Sequence, residues 1–263
     1  MRVLLTAGFR FNLQWLNWLV VRGDTYDLVV LAGDLLDAHS RYTLSQQTAR
    51  VGPTLRTLAN SQPLAICSGN HDAIDLPVST INGIRPGWLN AFSNCPLALL
   101  DGQSRYFADG LTVTVLGYLS EVTQKRASLQ VGRRLWMEHG GRWLVVHHAP
   151  PAFTASSGQE ECAAGQLLQE FSPSVWCSSR YLRQPYREEF RCSKKIGTTT
   201  VVNVAQVRPD GTRMTGAVPK HLVWDLETNR FSWYGSESSA RVTANGSKTV
   251  LPNNSSSNGL API

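Results

Sequence analysis

The chain is short of the features that would place it in a membrane, a disulfide scaffold or a zinc fold. None of its stretches is an uninterrupted apolar run of the about 18 residues that a spanning helix needs. Its five cysteines (Cys67, Cys95, Cys162, Cys177 and Cys192) are odd in number and lack CxxC spacing, so reduced thiols are expected rather than disulfides or a zinc site. The apolar run within Met1 to Gly8 is too short for a secretory leader and reads as a first strand. A cytoplasmic location with no membrane partner is therefore expected. Internal repeats are absent. Histidine is scarce: only His39, His71, His139, His147, His148 and His221 occur. Against these absences, 263 residues with 42% hydrophobic content can build one large core or two small ones. The net charge of +6 favours acidic partners only in general terms.

Read in order, the chain alternates strands and helices. Val3 to Ala7 is a buried strand; Asn12 caps a helix carrying Leu13, Leu16, Leu19 and Val20, which Gly23-Asp24 ends. Tyr26 to Ala32 is the second strand, which completes a βαβ unit. Thr43 to Asn60 is a helix that Pro53 should kink or split. Pro63 to Cys67 is the third strand, and 73–96 reads as loop with a short helix near Trp88 to Phe92. Ala108-Asp109-Gly110 turns a hairpin between Ser104 to Phe107 and Leu111 to Leu116, which starts a second sheet. Val122 to His139 reads as an amphipathic helix with Lys125, Arg126, Arg133 and Arg134 exposed. Trp143 to Val146 is a strand running into His147-His148, and Glu160 to Glu170 a helix. Short strands follow at Val175 to Cys177, Thr198 to Val204, His221 to Leu226 and Arg230 to Tyr234. These divide the chain into a domain over 1–235 and a disordered Ser/Asn-rich tail over 236–263.

Three motifs stand out. Gly33-Asp34-Leu35-Leu36-Asp37 and Gly69-Asn70-His71-Asp72 each follow a buried strand, and His147-His148-Ala149-Pro150-Pro151 follows another. Loops at the carboxyl ends of strands in an open α/β sheet line the ligand crevice. Hard oxygens and imidazole nitrogens gathered there suit a divalent metal, or a phosphate held by one. Loop capping and turn formation are the plainer reading of Asp34, Asn70 and His71, which the agreement of three motifs in order outweighs; for Asp37 that reading is stronger.

In this order and context the three motifs resemble those of the calcineurin-like metallophosphoesterases, over about residues 1 to 235. The resemblance implies a four-layer α/β/β/α sandwich with two mixed β-sheets. It also implies two adjacent metals that activate a bridging water for attack on phosphorus. Carried over by position, Asp34 falls on the bridging metal ligand and Asn70 on a ligand of the second metal. His71 falls on the catalytic histidine, with Asp72 to orient it. His148 falls on a later histidine ligand, with His147 as the alternative.

Two family motifs are missing. Where the family has Asp-x-His after the first strand, this chain has Gly8 and Arg10. Where it has Gly-His-x-His, this chain has Ser179-Arg180-Tyr181-Leu182. The resemblance then leaves at most one divalent metal (Mn, Fe or Zn), or none, on Asp34, Asn70 and His148, with His39 as a substitute ligand. Unpaired buried carboxylates are costly. Arg10 is therefore expected to pair with Asp34, and Arg10 with Arg180 to bind phosphate in a substrate-binding role.

Three functions follow as expectations. The first is an impaired or non-catalytic member, a pseudoenzyme binding a phosphate-containing ligand or a partner. The second is a metal-dependent phosphoester hydrolase with a reduced metal site. The third is a nucleic-acid-binding module using Arg180, Arg183, Arg187, Arg191, Lys194 and Lys195 with Tyr181, Tyr186 and Phe190. Glu188 and Glu189 interrupt that cluster, as they would a solvated loop.

Overall fold

A computed structural model describes residues 1–74, 77–80, 83–152, 158–179, 193–206, 216, 218–235, 240–242 and 248–250. The chain opens β1 (Arg2–Thr6), α1 (Leu13–Gly23), β2 (Leu28–Ala32), α2 (Leu44–Ser61), β3 (Leu64–Cys67). It continues β4 (Pro77–Thr80), β5 (Gly83–Pro86), α3 (Gly87–Asn90), β6 (Ala98–Leu100), β7 (Ser104–Phe107), β8 (Leu111–Leu116), α4 (Val122–His139), β9 (Arg142–His147). It ends α5 (Gln159–Phe171), β10 (Val175–Ser178), β11 (Ser193–Ile196), β12 (Thr199–Asn203), β13 (His221–Asp225), β14 (Arg230–Tyr234), β15 (Ala240–Val242), β16 (Lys248–Val250).

Two mixed sheets result. The first has the order β16-β15-β14-β13-β1-β2-β3-β6, and the second β11-β12-β10-β9-β8-β7. Strand alternation sorts their side chains into three apolar layers. Val3, Leu5, Val30, Cys67, Leu144, Val146 and Cys177 fill the space between the sheets. Leu4, Val29, Leu31 and Ile66 face away from it, onto Trp15 and Leu19 of α1 and Val51 and Leu55 of α2. Trp143, Val145 and Trp176 face the other way, onto Leu129 of α4 and Leu167 of α5. The four-layer α/β/β/α sandwich is thus built by period-two strands that are apolar on both faces. Parallel pairing of β1 with β2 and of β2 with β3, and of β8, β9 and β10, sends the site loops to the carboxyl ends of both sheets.

Most expected elements form, with ends that move by a residue or two. Asn12 caps α1 by accepting the Trp15 N–H at 3.2 Å. The second strand starts at Leu28 instead of Tyr26, and the Asp27 carboxylate accepts the Arg2 N–H. Four expectations change. Of the kink or split expected at Pro53, the split does not occur: α2 runs over 18 residues, and Pro53 lies on the exposed face, where the carbonyl it leaves unbonded meets water. Residues 77–86 hold the antiparallel pair β4–β5 where loop is expected. Lys125 is buried, not exposed: its Nζ donates to Glu160 Oε2 at 2.6 Å and to the Tyr118 carbonyl at 3.4 Å. Its partner lies on α5, where helical periodicity within α4 could not reveal it. Finally, β15 and β16 fall inside the expected tail, while the rest of that tail lies outside the described residues.

The capping box of Thr43 and Gln46 starts α2 firmly. Relief of the interior proline is then a clean test of helix continuity. Pro53→Ala is expected to raise stability by about 1–3 kcal/mol, read as a higher urea midpoint at unchanged slope. A lower midpoint would mean that α2 depends on a break at Pro53.

Candidate active site

The site grows from three loops that bond to one another. Gly8 N–H donates to the Gly33 carbonyl at 2.9 Å, Arg10 N–H to Asp34 at 2.8 Å and Phe11 N–H to Leu35 at 2.8 Å. This zips the loop after β1 onto the loop after β2. Arg10, Phe11 and Asp34 have φ of 45°, 60° and 57°. Asp tolerates that region; the two others carry roughly 1 kcal/mol or more of strain each, which the zipped bonds hold in place. Gly33, at φ +97°, and Gly69 allow close approach: a Cβ on Gly33 would stand 2.6 Å from His148 Nδ1, and one on Gly69 would strike Asp34.

Asp34 is 4% exposed and sits at the centre. Its Oδ1 accepts the His71 N–H at 3.0 Å and lies 3.5 Å from His148 Nε2. Its Oδ2 lies 3.5 Å from Arg10 Nη2, on a side chain 38% exposed. The expected Arg10–Asp34 ion pair is therefore present.

His148 is held by its other nitrogen. Ser179 Oγ donates to the Ala32 carbonyl in a very short hydrogen bond. With its one proton used there, Ser179 Oγ must accept from His148 Nδ1, at 2.8 Å; that N–H also lies 3.1 Å from the Ala32 oxygen. Nε2 is then left with a lone pair aimed at Asn70 Oδ1, 2.9 Å away. With the proton on Nδ1, a cation placed there would meet the Nε2 lone pair and the amide oxygen; the amide turned over would instead donate its Nδ2–H to Nε2. Asp34, Asn70 and His148 thus fit one cation by donor chemistry. Among the described residues no three or more His, Cys, Asp or Glu side chains are grouped so as to hold a metal ion; the third donor of this set is an amide.

His147 does not join the site. Its Nδ1 bonds the Ala149 carbonyl at 3.1 Å and its ring packs on Trp176, on the outer side of the second sheet. Burial first, then the charge of Lys125, drives its pKa well below the usual histidine value.

His71 and Asp72 part company. His71 Nδ1 accepts the Ala38 N–H at 3.1 Å, which puts the proton of the neutral ring on Nε2. Burial lowers its pKa, against the pull of Asp34. The carboxylate beside its ring is Asp37, at 3.3 Å, not Asp72. Asp72 instead accepts the N–H groups of Leu35 and Leu36 at 3.0 and 2.8 Å and of Gly69 at 2.8 Å. It pins the loop after β2 to the loop after β3. Burial first, then the like charge of Asp34, pushes its pKa up, and the backbone N–H groups pull it back down.

The first-motif position is crowded. Gly8 has φ +66°, and a Cβ there would stand 3.3 Å from Cγ of Gln206. Gln206 is anchored by Nε2 donating to the Lys220 carbonyl at 2.6 Å and by Oε1 accepting the Lys220 N–H at 2.8 Å. Neither Gln206 nor Ser179 is singled out by sequence reasoning as a site residue. Nothing in the sequence marks Gln206, whereas Ser179 stands where the family has glycine. His39 is exposed, edge-on to His71 with centroids 5.2 Å apart, and not beside Asp34. Arg180 and most of the basic cluster lie outside the described residues; Lys194 and Lys195 are exposed on β11.

A calcineurin-like phosphoesterase family profile matches residues 6–179. No curated protein sequence matches the chain. Among solved structures it is similar to the Thermus thermophilus protein TT1561, with TM-score 0.59, 15% identity, and coverage of 90% of this chain and 99% of that one. A dimetal phosphatase from Danio rerio has TM-score 0.52 and 12% identity, covering 89% and 95%. A purple acid phosphatase, PPD1, from yellow lupin has TM-score 0.59 and 11% identity, covering 92% of this chain and 52% of that one. At such identities these likenesses speak for the fold alone.

Asp72→Asn tests the loop-pinning role. The amide NH2 would oppose one of three backbone N–H groups, for an expected loss of about 1–3 kcal/mol in urea unfolding. A loss below about 0.5 kcal/mol would show that the carboxylate does not hold these loops. The family match over 6–179, on a sandwich whose loops gather Asp34, Asn70, His71 and His148, makes this chain a member of the calcineurin-like phosphoesterase family.

Proposed function

We propose that the chain binds a phosphate-containing ligand at this crevice with at most one divalent cation, and that it turns phosphoesters over poorly or not at all. The observation that supports this reading is the division of Asp34. One oxygen faces Asn70 and His148, the other a guanidinium at 3.5 Å. In the family, Asp34 would bridge two metals. Here Asp34, Asn70 and His148 would hold one, and Arg10 would supply fixed positive charge in place of the other. A phosphate oxygen would meet the cation on one side and the Arg10 guanidinium on the other. When bound, the cation supplies Lewis-acid charge for the phosphate.

A second reading, a hydrolase with a reduced site, rests on His71. The Ala38 N–H leaves the His71 proton on Nε2, the state needed to donate to a leaving group.

The test measures manganese and phosphate binding together. One manganese per chain or fewer is expected, lost in Asn70→Ala, with orthophosphate affinity falling about tenfold or more in Arg10→Ala. Turnover of a generic phosphodiester should stay near background. Two metals per chain, or turnover that Asp34→Ala abolishes, would overturn this proposal; the turnover result would establish the hydrolase reading.

A further inference from the structure

The loop from Asp37 to Thr43 begins at the candidate site and ends in a cluster of cations. At its near end, Ala38 N–H bonds His71 and the His39 ring packs on it. Its shape is set by Gln47 of α2, which is 1% exposed. Gln47 Oε1 accepts the Asp37 N–H at 2.8 Å, and its Nε2 donates to the carbonyls of Asp37 at 3.0 Å and Tyr42 at 2.9 Å. One buried amide therefore clamps both ends of the loop.

At the far end the Tyr42 ring meets the Phe11 ring edge-on, with centroids 5.3 Å apart. This connects it to the segment that carries Arg10. Two guanidinium groups lie over Tyr42: Arg41 at 5.2 Å and Arg50 at 5.6 Å from its centroid. Both arginines are exposed, and no carboxylate among the described residues lies within 4.0 Å of either. The loop's own carboxylate, Asp37, is turned to His71 at 3.3 Å and to the His39 N–H at 3.1 Å. The positive field is felt by Tyr42, whose hydroxyl is held below its usual pKa by the Arg41 hydrogen bond, then by the charges of Arg41 and Arg50.

We propose that Arg41 and Arg50, set on Tyr42 by the Gln47-clamped loop, form a second phosphate subsite, so that the ligand of this crevice carries two or more phosphoryl groups. This rests on the phosphate-binding reading of the Arg10–Asp34 site and adds the class of ligand. Like-charged side chains with no carboxylate within 4.0 Å among the described residues, held over one ring at the end of the loop that starts at the candidate site, gain most from a second anionic group on the same ligand. The patch is one loop and the first two turns of α2, a footprint short beside a nucleic-acid strand.

Calorimetry on the full chain, with and without manganese, tests the subsite using three probes: orthophosphate, methylenediphosphonate and a thymidine decanucleotide. The wild type is expected to bind the diphosphonate at least about tenfold more tightly than orthophosphate. Arg41→Ala/Arg50→Ala should remove that preference and leave orthophosphate affinity within about twofold. Arg10→Ala should weaken both. An unchanged preference in the double variant, or equal loss for both probes, would overturn the subsite while phosphate binding itself stood. So would loss confined to the decanucleotide, which would assign the arginines to a strand. Binding of no probe by the wild type would overturn the phosphate-binding reading and this inference together.

Discussion

The carbonyl oxygen of Ala32 is the point on which the site depends. It ends β2 in the first sheet, yet it receives Ser179 Oγ and lies beside Nδ1 of His148, both from the second sheet. That clasp ties the two sheets at the edge where the loops emerge. It also decides chemistry at a distance of one ring, because a proton fixed on Nδ1 leaves Nε2 as an acceptor. The clasp orients the His148 imidazole, whereas strand alternation turns His147 to the outer face of the second sheet, onto Trp176. The glycines at 33 and 69 belong to the same constraint, since either Cβ would intrude on His148 or Asp34.

On the proposed function, charge balance ties the departures at Gly8 and Arg10 together. Asp34 and Asp72 are both buried and close enough to disturb each other. Buried carboxylates need a cation, a proton or several N–H donors. Asp72 has its three N–H donors. Asp34 has one, from His71, and Arg10 beside its second oxygen. Losing a carboxylate at position 8 and gaining a guanidinium at position 10 both move the crevice toward positive charge. The space beside Gly8 is then taken by Gln206, whose amide is satisfied by Lys220 and not by the site.

The buried strands were legible because their cause is local: apolar runs such as Leu28–Ala32 and Trp143–Val146, placed between helical segments, read as strands covered on both faces. That they form two facing sheets came from the family resemblance of the motifs, since such runs suit a single doubly wound sheet as well. The motifs gave the loops and most of the residues that meet in them, including the Arg10–Asp34 pair. What escaped depended on partners remote in sequence. Lys125 reads as surface until Glu160 arrives from another helix. Asp72 reads as the orienter of His71 because it is its neighbour, but its bonds go to Leu35 and Leu36. Gln206 has no local signature, as its role is to fill a space left by a residue two hundred positions away. The β4–β5 pair was hidden by Pro77, Gly83, Pro86 and Gly87, whose usual reading is loop.

The substitution at Arg10 also bears on what such a site can do. A guanidinium and a divalent cation both attract phosphate oxygens, so either preserves binding. They differ toward water. A metal accepts a water lone pair and lowers the water's pKa, which generates the nucleophile. A guanidinium has donors only and no site to accept a lone pair, so it can orient a water molecule but cannot make it more acidic by coordination. Hydrolysis would then rest on a single cation at Asp34, Asn70 and His148, which would have to hold the phosphate and the attacking water at once. On the proposed function, an arginine in place of one member of a metal pair would separate two properties that the pair supplies together: affinity for the phosphoryl group would survive, and activation of the nucleophile would weaken.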